Sequence, residues 1–153
     1  MPSHPSDYRV IRSLAVTAND VVMAYETNRS RRDQQAVIRV TPPFNGRMRA
    51  RLHLVRHGDT YDSASVEPLH IDPAALVTNP PAYPHATDTE AELRADPSTP
   101  YSVDAHYEYH RNAISAWRSA VSSRIGETVT HSGRHGPHTV LVKVLGKESG
   151  NVE

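Results

Sequence analysis

Cysteine is absent from this chain of 153 residues. Its absence excludes disulfides, thiol nucleophiles and Cys-type zinc sites, and it fits a reducing compartment. Long apolar runs are absent too, so no segment reads as a bilayer span. The N-terminal MPSHPSDYR has no apolar stretch of the signal-peptide kind. A cytoplasmic protein without a membrane partner is therefore expected. Net charge is also lacking, with Lys plus Arg and Asp plus Glu both at 17. No global field draws nucleic acid or an anionic surface, so any electrostatic function must come from local asymmetry. With one Phe and one Trp, a base-stacking platform of the RNA-recognition type is poorly supplied. There is no Gly-rich phosphate loop and no Ser-His-Asp order, and nothing calls for a cofactor.

Histidine and proline are plentiful, at 10 and 12. The prolines break the chain into short elements. The length suits one domain, expected over residues 8–146, with 1–7 and 147–153 read as disordered tails. Tyr8 to Val16 reads as a short strand. Thr17 reads as the N-cap of a helix from Ala18 to about Arg31, with Val21, Val22 and Tyr25 inward. Arg29, Arg31 and Arg32 crowd the end of that helix, where the macrodipole favours cations.

The segment from Ala36 to Gly58 organises the rest. It reads as two strands, Ala36–Val40 and Arg47–Val55, joined by Pro42-Pro43-Phe44-Asn45-Gly46 and paired as a hairpin. Alternation puts Ile38, Val40, Met48, Ala50, Leu52 and Leu54 inward. Arg39 and Arg47, Arg49, Arg51 and His53 take the opposite face.

Leu69-His70-Ile71 reads as a strand, and Asp72-Pro73 as a helix start. Thr87-Asp88-Thr89-Glu90 reads as a capping box. Ser102 caps the longest helix, about Val103 to Arg124, with Ile114, Trp117 and Val121 on its apolar stripe. A second hairpin closes the chain, with Val140, Val142 and Val144 inward. The expected class is α+β. A single antiparallel or mixed sheet, built from two hairpins, packs on one long C-terminal helix and shorter helices.

Three constellations bear on function. Leu54-Val55-Arg56-His57-Gly58-Asp59-Thr60 resembles the signature of the histidine phosphatase superfamily. That resemblance implies a phosphohydrolase with His57 as phosphoryl acceptor and Arg56 as clamp. The family sets this motif after a parallel strand and before a helix. Here a hairpin strand leads in and a loop-like stretch follows, so the plainer reading is a loop leaving the strand. His106 and His110 lie one helical turn apart and could share a metal ion, but a zinc site needs three or four convergent ligands. The set Arg39, Arg47, Arg49, Arg51 and His53 concentrates cations on one hairpin. Like charges side by side call for an anionic partner, either nucleic acid or an acidic protein surface. The alternative is internal neutralisation by acids such as Glu90, Glu92 or Asp96. A non-catalytic binding domain using the arginine face is the leading expectation. Phosphohydrolase and metal-binding protein are the alternatives.

As a whole the chain resembles a family of short haloarchaeal proteins. Asp20-Val21-Val22, Val40-Thr41-Pro42-Pro43-Phe44, Gly46-Arg47-Met48-Arg49-Ala50-Arg51-Leu52 and the Trp117 helix carry the resemblance. It implies a cytoplasmic protein and assigns no activity.

Overall fold

The computed structural model describes residues 6–56 and 67–146. It is an α+β fold with two sheets rather than one. A 3-10 turn at Tyr8–Val10 leads into β1, Ser13–Thr17. Asp7 caps that turn by accepting from the Arg9 amide, so the expected first strand begins only at Ser13. Thr17 caps α1, Ala18–Ser30, by accepting from the Asp20 amide. The remaining strands are β2, Gln35–Val40; β3, Arg47–Arg49; β4, Arg51–Val55; β5, Leu69–Ile71; β6, Thr128–Gly133; and β7, Gly136–Leu145. The other helices are α2, Ala86–Arg94, and α3, Val103–Ser122.

Sheet A has the order β3-β1-β7-β6. In it β1 runs parallel to both β3 and β7, while β6 and β7 form the expected closing hairpin. Sheet B has the order β4-β2-β5 and is antiparallel throughout.

The central hairpin is the main departure from the sequence expectation. The second strand breaks at Ala50. Its first part, β3, joins sheet A, and its second part, β4, pairs with β2 in sheet B. Two bonds make the switch. The fully buried Ala50 donates its amide to the Ala15 carbonyl at 2.8 Å. Leu52 donates its amide to Asp20 Oδ2 at 3.0 Å. The Asp20 side chain thus satisfies a strand amide in sheet B from the first turn of α1. The two strand fragments face different sheets, which a regular alternation cannot express.

Helix α1 lies against β2 and β4, and α3 packs on α1 and α2. The helix covering the strands is therefore α1, not the long C-terminal one. Asn28 ties α1 to β2 by bonding both the amide and the carbonyl of Ala36. Trp117 anchors α3 as expected. It is 4% exposed, stacks on Tyr25, meets the edge of Tyr83 and donates to the Pro81 carbonyl at 2.9 Å. Helix α2 starts two residues earlier than the sequence suggests, with His85 as the cap residue whose amide donates to Asp88 Oδ2.

Candidate functional site

Sheet A carries one covered face and one open face. Leu14, Val16, Val129, Val140 and Val142 point inward and are buried. The opposite set is exposed on β6 and β7 and half-buried on β1. Across that open face, Ser13 stands between Arg47 and Leu141, and Ala15 between Arg49 and Lys143. Small side chains on β1 thus floor a shallow trough. Arg47 and Arg49 form one wall, with Leu141, Lys143 and Leu145 forming the other. Residues two apart on a strand are about 6–7 Å apart, and positions two strands apart are roughly 9–10 Å apart. The cations therefore line both sides at spacings a single extended polyanion can bridge.

Arg12, just before β1, carries a further cation beside the residue that precedes β3. Its guanidinium lies directly on Gly46, where a Cβ would come within 2.7 Å of Arg12 Nη2. A larger residue at 46 would displace the end of this flexible side chain. Among the described residues, none of Arg12, Arg47, Arg49 or Lys143 belongs to a salt bridge. Arg49 spends one nitrogen on the Ala50 carbonyl at 2.6 Å. The acids proposed as neutralisers are engaged elsewhere. Glu90 pairs with Arg94, Glu92 accepts from Tyr109, and Asp96 accepts from Ser98.

The other arginine-set residues do not join this face. Arg39, Arg51 and His53 share a face of sheet B, where Arg39 stands opposite Arg51 and beside His70. Arg39 Nη1 lies 3.1 Å from His53 Nδ1, and His53 and His70 sit ring to ring at 5.5 Å. Arg39, His53 and His70 are half-buried, so only Arg51 of this group is an exposed cation. The arginines that the sequence puts on one hairpin face are split between two sheets by the break at Ala50. Lys143 was missed, although the inward set Val140, Val142 and Val144 already places it outward.

Two histidine clusters are organised by hydroxyl groups. On α3, His106 Nε2 and His110 Nδ1 converge on Thr89 Oγ1 of α2, at 2.8 and 2.9 Å. Thr89 is fully buried and donates to the Ala86 carbonyl. Its one proton is thereby used, so both imidazoles donate N–H groups into its lone pairs. These bonds leave His106 Nδ1 and His110 Nε2 as the ring nitrogens a metal could use, and two ligands fall short of the three or four that a zinc site needs. Among the described residues, no group of three His, Cys, Asp or Glu is arranged to hold a metal ion.

The second cluster surrounds Tyr8, with His131, His135 and His138 around its ring. The Tyr8 hydroxyl donates to the Gly136 carbonyl and accepts from the amides of Gly133 and His135. It thus pins the β6–β7 turn to the start of the chain. His138 Nε2 lies 2.6 Å from the Ile11 carbonyl. Burial, with a smaller contribution from His138, pushes the His131 pKa down. Arg9 holds the Asp7 carboxyl well below the usual range by hydrogen bonding. Nothing in the sequence marks Tyr8 as this hub, because its partners lie more than a hundred residues away.

For the phosphatase motif, β4 leads into Arg56 as an edge strand of the antiparallel sheet B. His57 lies outside the described residues. No helix is long and apolar enough to cross a membrane among the described residues.

A family model described as a domain of unknown function, DUF8009, matches residues 1–146. The chain belongs to the DUF8009 family. No curated protein and no solved structure matches it. In this DUF8009 chain the family match covers every element described above, including both walls of the basic trough.

Proposed function

We propose that this chain is a non-catalytic binding domain that takes an anionic partner, foremost a single nucleic-acid strand, along the open face of sheet A. The observation that carries the reading is the placement of Arg47, Arg49 and Lys143 beside a floor of small residues, outside any described salt bridge. Guanidinium groups match phosphate oxygens in geometry and charge. Among the described residues this face carries no aromatic side chain, which favours contact with a backbone over stacking of bases. Binding would be weakly sequence-selective and strongly dependent on salt.

The test is fluorescence anisotropy with a labelled single-stranded oligonucleotide at low salt. The wild-type chain should bind. Its logarithmic salt slope should be near –2, at about 0.7 per phosphate contact for three cations. The Arg47→Ala, Arg49→Ala, Lys143→Ala triple variant should lose binding. Binding of polyglutamate but not of oligonucleotide, lost in the same variant, would move the partner to an acidic protein surface. Binding of neither would refute the reading.

A further inference from the structure

A strand at the edge of a sheet presents unpaired backbone groups, and proteins protect such edges with charge, proline, bulges or short length. Among the described residues, three of the four sheet edges are protected. β3 spans three residues and has Arg at both ends. β5 spans three residues between Pro68 and the Asp72-Pro73 turn. β4 begins at Arg51 and is followed by Arg56. β6 is different. Its six residues, Thr-Val-Thr-His-Ser-Gly, contain no Lys, Arg, Asp, Glu or Pro. Its register with β7 is unbroken from Thr128 to Gly133, so no bulge turns the edge away.

That register also says which backbone groups are on offer. Gly133 and Gly136 flank the two-residue turn and make the closing hydrogen-bonded pair. Pairs then alternate, so Val129, His131 and Gly133 bond to β7 while Thr128, Thr130 and Ser132 point theirs outward. The placement of Pro137, which lacks an N–H, opposite Ser132 agrees with this alternation. So does the bond from the Val142 amide to the Glu127 carbonyl. Just before β6 the edge is already used. The Gly126 amide donates to the Leu76 carbonyl, and Ile125 bridges to Val77. The unused edge therefore begins at Thr128.

We propose that two copies of this chain associate through β6, in an antiparallel, two-fold pairing that joins their A sheets into one continuous sheet. In this pairing Thr130 of each copy exchanges backbone bonds with Ser132 of the other, about an axis at His131. The occupied stretch at 124–126 excludes registers that draw those residues into the pairing. An edge is self-complementary under a two-fold axis, so the second copy needs no further adaptation. Within β6 the pairing brings no formal charges together, since burial favours the neutral form of His131, and Arg134 just past the strand meets the uncharged Thr128 of the other copy. Thr130, which shares a hydroxyl bond with Thr139 at 2.7 Å, would extend that polar row across the seam. The two open faces would then lie on the same side of the joined sheet.

Sedimentation equilibrium of the full chain over a concentration series tests this. The wild type should show a reversible monomer–dimer equilibrium. Thr130→Pro removes an outward N–H and leaves the β7 ladder bonds in place, so it should be monomeric. Thr130→Lys places like charges near the seam and should be monomeric as well. Circular dichroism melts identify any variant that unfolds, in which case the other decides. A wild type that stays monomeric throughout, or folded variants that dimerise like the wild type, would overturn the proposal. The Arg47→Ala, Arg49→Ala, Lys143→Ala variant should keep the dimer, so failure of the pairing and failure of anion binding are separable.

Discussion

At the scale of single residues, the strongest local commitments are hydroxyl groups that settle several partners at once. Thr89 is legible in the sequence only as part of a capping motif near the start of α2. Its role as acceptor for His106 and His110 needs α2 and α3 to be packed together. Replacing it by Val keeps volume and shape but leaves two half-buried imidazole donors facing a methyl group. A buried polar group left unsatisfied costs about 1–3 kcal/mol. Thr89→Val is therefore expected to lower unfolding free energy in urea by about 2 kcal/mol. Thr89→Ser, which keeps the hydroxyl, should lose less than half as much. Equal losses in the two variants would mean that methyl packing, not the hydroxyl, holds the helices together.

At the scale of elements, most helices and strands follow from local chemistry. Thr17 and Ser102 cap the helices expected of them, and Val140 and Val142 turn inward on β7. The long second strand of the central hairpin is the exception. Its alternation is regular through Ala50, so nothing local announces a change of sheet. The change is made by Asp20, which spends its carboxylate on the Leu52 amide 32 residues away. Asp20→Ala removes the acceptor for a charge-assisted bond worth about 1.5–3 kcal/mol. It also removes a favourable charge from the first turn of α1. The variant should melt earlier. Hydrogen exchange should rise first at the Leu52 amide, while the Val129 amide stays protected to the level of global unfolding. Uniform loss of protection would show that Asp20 supports the whole fold and not the switch.

At the scale of the whole molecule, the split hairpin redistributes charge. Arg49 and Arg51 are two residues apart, yet one stands on sheet A and the other on sheet B. If the open face of sheet A is the binding surface, Arg49→Ala should weaken oligonucleotide binding several-fold at low salt. Arg51→Ala, which removes an equal charge from an exposed site, should change it less than twofold. Anisotropy titrations of the two variants side by side would check this. Equal effects would mean that net charge alone, not the trough, governs attraction.

The class, the principal helices, the closing hairpin and the anchoring role of Trp117 are legible in the amino-acid sequence alone. Each rests on short-range rules: capping, periodicity and turn chemistry. The concentration of cations around residues 47–51 is legible there too. The tertiary structure decided which of them act together. Side-chain alternation states only that alternate residues point in opposite directions, and it assumes that one strand belongs to one sheet. The amides of Ala50 and Leu52 found acceptors at Ala15 and Asp20, on elements far away in the chain. Buried amides must be paired, and the nearest acceptors in space, not in sequence, set the path of the strand.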